Sequence, residues 1–426
     1  MSAPRAPVWE ARLSRAGSWA AALLAWSLPC SIFGMQAAVV AGTAVLIGLL
    51  LLRRRWAPSP MDFAFGFLLA AIGLSLLLAP RPVPSFRAAT SFWVILAFFV
   101  AYHLADASAL RRGLIGAVGL ACGVACFAVF QTLTGSYPLG PWLHPGIAKL
   151  IEPAPGTPGF YGAVGLFFSR LTLAHSLLFP LCWVAGWILE PVGWRRRFAL
   201  LVAAGLLAAG LLSTWTRAAP LAAACALSVL AVLRLPAGKW RRAGLALLLL
   251  LAAGALVLLP RLLPERFDRS FAGKHDWGRL AIWHSALDLA AEQPLTGIGY
   301  GGFQRDVGRL TELRRVQSGM ERFKGTLAWA HSNLLSFLAE CGALGAVALC
   351  LLFAAYFRAA AGVSRARGRD PWLRGFVRGS AAAACAFLVV GLFHDPFFDG
   401  EVIFALYFTM GASLACARIG SQPEAP

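Results

Sequence analysis

The chain is short of charge. Only 13% of its 426 residues are Asp, Glu, Lys or Arg, about half the share found in a soluble domain, while 59% are hydrophobic and the mean hydropathy is +0.70. Side chains this poor in charge cannot solvate the surface of an ordinary soluble domain, so the sequence reads as a membrane protein. Acidic residues are the scarcer kind, 19 against 38 Lys and Arg, and neither a DxD pair nor an HExxH run occurs to hold a catalytic metal. A GxSxG elbow and a P-loop are also missing, which removes serine-hydrolase and ATP-hydrolysing chemistry. There is no CxxC. The nine cysteines (Cys30, Cys122, Cys126, Cys182, Cys225, Cys341, Cys350, Cys385 and Cys416) all fall in apolar segments and read as small core residues, not as disulfides or metal ligands. A net charge of +19 would suit nucleic acid, but the basic residues form short clusters between apolar runs, which is how membrane topology is encoded. Nucleic acid is therefore not an expected partner.

What the chain has is apolar runs of about 20 residues, the length that crosses a bilayer core. Spans are expected at 17–34, 36–52, 61–80, 88–105, 113–133, 162–189, 198–213, 218–233, 243–260, 331–357, 379–393 and 400–417. The first is expected to be a span and not a cleaved signal peptide. With this placement Arg53-Arg54-Arg55, Arg111-Arg112, Arg195-Arg196-Arg197, Lys239 with Arg241-Arg242, and the cluster from Arg365 to Arg378 share one side with Arg5, Arg12 and Arg15. The positive-inside rule makes that side the cytoplasm and puts both termini there. The opposite side receives a Pro/Gly-rich loop from Thr134 to Phe160, the tip HDPFFDGE (His394 to Glu401), and one long segment. That segment, 261–330, carries eleven Lys and Arg and eight Asp and Glu, but long translocated loops are largely exempt from the charge rule. The expected protein is all-α and polytopic, with about twelve transmembrane helices. It divides into nine spans in 1–260, an outer helical loop in 261–330 and three spans in 331–426.

Within the loop, "WGRLAIWHSALDLAAEQP" sets Leu280, Trp283, Leu287 and Ala290 at helical spacing and stops at Pro294, predicting an amphipathic helix. "LTGIGYGGF" after it is a glycine-rich turn, read either as backbone N–H groups offered to an anion or as a plain loop. A second charged helix is expected from about Phe303 to Lys324.

Polar residues collect at the outer boundary. His331, Ser332 and Asn333 open the span from 331, where a helix start is ordinarily capped by Ser or Asn. Arg217, in "LLSTWTRAAPLAAACA" with Trp215, lies between two spans on a face where the charge rule gives no reason for a cation; snorkelling to headgroups is the alternative. Arg279 starts the amphipathic helix. Arg170 and His175 lie inside the expected sixth span, where charge is costly and points to function, unless that span begins only after Arg170. His394, Asp395 and Asp399 are the nearest approach to a metal set, and no metal site is expected there. Arginines bind phosphate oxygens in bidentate fashion, and a histidine, with an ordinary pKa of about 6.5, takes a proton from a hydroxyl. The set suits a phosphate-bearing substrate in the outer leaflet and a hydroxyl as its reaction partner.

The His331-Ser332 pair followed after nine residues by Gly342 and then Gly345 resembles the signature of bacterial O-antigen ligases and the related Wzy-type polymerases and protein O-oligosaccharyltransferases. "LLSTWTRAAPLAAA" is similar to their arginine-containing segment, and "GRLAIWHSALDLAAEQPLTGIGYGGF" to a segment of their large periplasmic loop. The resemblance covers roughly 160–417. It implies a GT-C-type glycosyltransferase of the inner membrane with a periplasmic active site. Such an enzyme passes O-antigen from undecaprenyl pyrophosphate to lipid A-core oligosaccharide, inverts the anomeric centre and needs no metal, nucleotide or other cofactor. His331, Arg217 and Arg279 would be its catalytic residues, with Arg170, His175, Ser332, Asn333, Trp215 and Trp283 lining the substrates. The single large outer loop favours the ligase branch, although Arg314 and Gly325 fit an R-x10-G spacing of the polymerases. A transporter or channel with an outward anion site is the reading from another class.

Overall fold

The computed structural model of the protein describes residues 8–54, 57–80, 92–139, 150–154, 157–233, 238–240, 243–244, 276–308, 310, 329–366 and 370–419. Its helices, in chain order, are α1 (Val8–Ser27), α2 (Ile32–Arg53), α3 (Asp62–Leu77), α4 (Leu96–Leu104, entered through a 3-10 turn at Trp93–Ile95), α5 (Ala107–Thr134), α6 (Arg170–Ile188), α7 (Trp194–Leu212), α8 (Ala218–Leu233), α9 (Asp276–Glu292), α10 (Asn333–Arg365), α11 (Pro371–Val390) and α12 (Gly400–Ile419).

Six of these, α2, α5, α6, α10, α11 and α12, are long and apolar enough to cross a membrane, and α3, α8 and the Trp93–Leu104 stretch are shorter apolar helices. The expected count of twelve is not reached among the described residues. Of the run at 88–105, the described residues hold a nine-residue α-helix behind a 3-10 turn. The run at 198–213 belongs to a helix that opens on three arginines, and the span placed at 243–260 lies outside the described residues. The run at 162–189 is helical only from Arg170, because Ser169 caps it by accepting the Leu171 N–H at 3.1 Å.

The bundle is packed closely through small residues. A Cβ at Gly186 of α6 would lie 2.2 Å from the Gly375 carbonyl oxygen of α11, and one at Gly379 of α11 would lie 2.4 Å from the Cys182 carbonyl oxygen of α6. The two backbones therefore touch, as transmembrane helices do where dispersion rather than water expulsion drives association. Phe65, Phe98 and Tyr407 interlock edge to face in the middle of the bundle.

The end of the bundle that holds the basic clusters is tied by a buried carboxylate. Glu190, in the turn after α6, accepts from Arg374 at 2.8 Å and from Arg378 at 2.6 Å, and Trp187 stacks on Trp372 beside it. Removing Glu190 leaves Arg374 and Arg378, whose side chains are 26% and 29% exposed, side by side without their shared acceptor, a cost of about 1–3 kcal/mol. Glu190→Ala is therefore expected to lower the thermal midpoint in detergent by several degrees. An unchanged midpoint would show that the cluster is too well solvated to matter.

Candidate active site at the opposite end of the bundle

At the other end of the bundle three chain segments are hydrogen-bonded to one another. Ser213, after α7, offers its carbonyl to the Thr132 hydroxyl at 2.8 Å and to the Ala163 N–H at 2.9 Å. Tyr161 N–H in turn reaches the Thr132 carbonyl at 3.0 Å. The end of α5, the 157–169 segment and the α7–α8 turn thus form one unit, and α6 starts from it.

This unit surrounds a cavity of about 490 Å³ lined by Thr132, Phe160, Leu212, Ser213, Trp215, Thr216 and Arg217. Trp215 is partly exposed and its ring lies 6.1 Å from that of Phe160, so the mouth carries an aromatic wall. Its backbone is left-handed at φ 53, a conformation that costs energy for a bulky residue and that concentrates at functional sites. Arg217 is exposed at the same mouth. Arg170, the first residue of α6, borders the unit: a Cβ at Gly162 would lie 3.6 Å from its Nη1.

On its other side α6 faces the loop between α11 and α12. Thr172 donates to Asp399 Oδ2 at 2.6 Å. One turn on, His175 is only 3% exposed, and its ring centroid is 5.5 Å from that of His394. Neither His175 nitrogen has a hydrogen-bond partner among the described residues. So α6 carries Arg170 towards the cavity and Thr172 and His175 towards the 391–399 loop.

That loop holds the start of α10. His331 is half-buried with a left-handed backbone at φ 52. Ser332 occupies the cap position but its hydroxyl makes no cap hydrogen bond. The capping acceptor comes from across the site: Asp395 Oδ1 accepts the Ser332 N–H at 3.0 Å and the Ser336 hydroxyl at 2.8 Å, and the carboxylate also takes the His331 N–H. Asn333 locks the arrangement, donating its N–H to the Gly391 carbonyl at 2.8 Å and accepting the Phe397 N–H on Oδ1 at 3.2 Å. Ser332 and Asn333 are both buried.

Burial pushes Asp395 from 3.8 up to about 6, against the hydrogen bonds from Ser336, His331 and Ser332 that pull it down; burial pushes Asp399 up as well. A folded-state pKa above the unfolded one means the folded protein binds the proton more tightly. Stability should then fall as pH rises from 3.8 to about 6 and level off above. Asp395→Asn is expected to make that slope shallower when thermal midpoints are compared across the window, with Asp399 keeping its share. A slope unchanged from wild type would show that Asp395 does not contribute to it.

Helix α9 matches the sequence expectation in extent but not in face. Its buried residues are Ile282, Ser285, Ala286, Leu289 and Ala290, whereas Leu287 is 47% exposed and Trp283 is half-buried. Ile282, Ala286 and Leu289 pack with Ile298, Phe303, Val307, Leu310, Ala330 and Ala339 in a small core next to His331. Arg279 sits in the first turn of α9. Of the second helix expected from Phe303 to Lys324, residues 303–308 are helical, while most of the rest, with Arg314 and Gly325, lies outside the described residues. The glycine-rich turn does offer N–H groups to an acceptor, and the acceptor is the chain's own Glu340 carboxyl group: Oε2 accepts from Gly301 at 2.9 Å and Oε1 from Phe303 at 3.2 Å. Among the described residues, no group of three or more His, Cys, Asp and Glu is disposed to hold a metal ion.

A span opening on a histidine, an arginine turn between two helices, and helix α9 packed on that span thus converge on one end of a membrane bundle. Residues 201–350 match the Wzy_C family model, described as O-antigen ligase. No curated protein matches the chain significantly. The matched stretch contains Trp215, Arg217, Arg279, Trp283, His331, Ser332 and Asn333, and leaves Arg170, His175 and Asp395 outside it. The protein is a multi-pass membrane protein, and the matched family implies enzyme activity on lipid-linked glycans in general.

Sequence reasoning missed Glu340, Ser336 and the capping role of Asp395. Glu340 carried a usable signal, since it is the one acid in the apolar stretch from 328 to 357, and an ionisable group within a span is costly unless it is employed. Asp395 gave no such signal, because its partners Ser332 and Ser336 are about 60 residues away in the chain.

Proposed function

We propose that this chain is an O-antigen ligase, transferring O-antigen polysaccharide from undecaprenyl pyrophosphate to lipid A-core oligosaccharide at the periplasmic face of the bacterial inner membrane. One observation carries the reading. A half-buried, left-handed histidine and an exposed arginine at the mouth of a 490 Å³ cavity lie at the same end of the bundle, within the stretch matched to the ligase family. In this topology the Glu190–Arg374–Arg378 end faces the cytoplasm, as do both termini.

Pyrophosphate is a good leaving group, so the donor needs its charge held more than it needs a proton. Arg217 and Arg279 bind the pyrophosphate, where fixed positive charge stabilises the anion that develops as the anomeric C–O bond breaks. Arg170 assists from the start of α6. His331 takes the proton of the acceptor hydroxyl as its oxygen forms the new bond to the anomeric carbon. Undecaprenyl pyrophosphate leaves on the opposite face, which inverts the centre. Trp215 and Trp283 give flat surfaces for sugar rings or the prenyl chain. Ser332, Asn333 and His175 line the acceptor side, and no metal or cofactor takes part.

A Wzy-type polymerase or protein O-oligosaccharyltransferase would use the same donor chemistry with a different acceptor. The test gives purified protein in detergent a labelled undecaprenyl-pyrophosphate glycan with lipid A-core, with a second donor molecule alone, or with an acceptor protein. Product formed only with lipid A-core is the expected result. Lengthened glycan without it would make the chain a polymerase. Solute flux in proteoliposomes with no glycan transfer would move it to the transporters.

A further inference from the structure

Helix α10 is broken nine residues after the position of Asn333. Gly342, at φ 63 and ψ −160, interrupts it, so carbonyls before the break and N–H groups after it lose their helical partners, a loss that hydrocarbon cannot make good. The outer loop supplies the replacements. Ile298 and Gly299 donate to the carbonyls of Ala339 and Glu340, both at 3.0 Å. Ala343 and Leu344 donate to the carbonyls of Pro294 and Leu295, at 2.8 and 3.2 Å. A Cβ on Gly297 would lie 2.3 Å from the Glu340 carbonyl carbon, and one on Gly342 would lie 2.3 Å from that of Leu295. Both glycines have positive φ, so loop and helix meet backbone to backbone only because neither has a side chain.

These four bonds hold residues 294–299. The Glu340 carboxylate extends the hold to Gly301 and Phe303, and Phe303 belongs to the small core that seats α9. Ser75 of α3 fixes the same turn by donating to the Glu340 carbonyl at 2.6 Å. Glu340 is buried, so it does not reach solvent, and two acceptor oxygens are what its two N–H partners require.

We infer that Glu340 is a positioning residue for glycan transfer, holding the outer helix that bears Arg279 in register with the helix start that bears His331. The inference rests on the proposed function, because it assigns these two ends to donor and acceptor. If Glu340 lets go, the donor still binds to its arginines, but its anomeric carbon shifts relative to the acceptor hydroxyl. A misplacement of about 1 Å costs on the order of 100-fold in rate. The loss should therefore fall on kcat and spare the donor KM.

Glutamine separates this role from simple space filling. It has the volume of Glu but one acceptor oxygen, and its NH2 would face a second N–H. Glu340→Gln and Glu340→Ala are each compared with wild type by hydrogen–deuterium exchange over 294–303 and by steady-state transfer. The expected result is faster exchange at Gly301 and Phe303 in both variants, kcat lowered about 10- to 100-fold, and donor KM within about twofold. A Gln variant that matches wild type in exchange and kcat would overturn the inference, as would faster exchange with unchanged kcat. If wild type transfers no glycan to any acceptor, the proposed function fails, and with it the positioning role. The exchange data would then still decide whether Glu340 holds the loop.

Discussion

Glycan transfer by His331→Ala should fall by about 10²- to 10⁴-fold at saturating substrates, the range that a positioned general base supplies, with donor KM little changed. His331 combines partial exposure with a backbone fixed in the left-handed region, whereas His175 and His394 are buried. Its position is set by Asp395, which holds the N–H groups of His331 and Ser332 and the hydroxyl of Ser336 together. Steady-state rates with purified protein decide the matter. A variant that retains most of its activity would return His331 to the role of a helix-end residue.

Arg217→Ala should lower transfer at limiting donor by about 10²- to 10³-fold, the usual loss when one preorganised group is removed from a developing anion. Arg217→Lys keeps the charge but loses the planar fork that grips two phosphate oxygens at once, so it should recover only part of the rate. The arginine stands at the cavity mouth beside Trp215 and Thr216, with the Trp215 backbone held left-handed by the turn after α7. Near wild-type rates at limiting donor in the alanine variant would show that the pyrophosphate is bound elsewhere.

The apolar runs were readable because length and composition suffice to mark them, and α2, α5, α10, α11 and α12 lie where the sequence places spans. Which side of each helix faces protein was not readable. In lipid both faces are apolar, so α6 and α12, buried on nearly every side, look in sequence like helices that face lipid along one edge. The α9 stripe failed for a related reason: Leu287 and Ile282 are equally hydrophobic, and only the contact with Phe303 and Ala339 selects the Ile282 side. The start of α6 at Arg170 depended on a serine cap inside a run that composition alone made continuous.

At the site, residue types were more legible than partnerships. Arginine and histidine at an outward boundary stand out because nothing in membrane topology requires them there. Gly342 stood out as part of a spacing, but the break that it makes in α10 was hidden, since a lone glycine within an apolar span is ordinary. The break becomes intelligible only with the loop that fills it, and Leu295 and Gly342 are 47 residues apart in the chain. The reach of Asp395 to Ser332 was hidden for the same reason.

The central claim is that lipid-linked glycan binds and reacts at the His331–Arg217 end of the bundle. It is tested most directly by photocrosslinking: an undecaprenyl-pyrophosphate glycan carrying a photoreactive group next to its pyrophosphate is bound to the wild-type protein, irradiated, and the adducts mapped by mass spectrometry. The account predicts adducts on the cavity residues Thr132, Phe160, Leu212, Ser213, Trp215, Thr216 and Arg217, suppressed by excess unlabelled donor. Competable adducts around Glu190, Arg374 and Arg378 at the other end would contradict it.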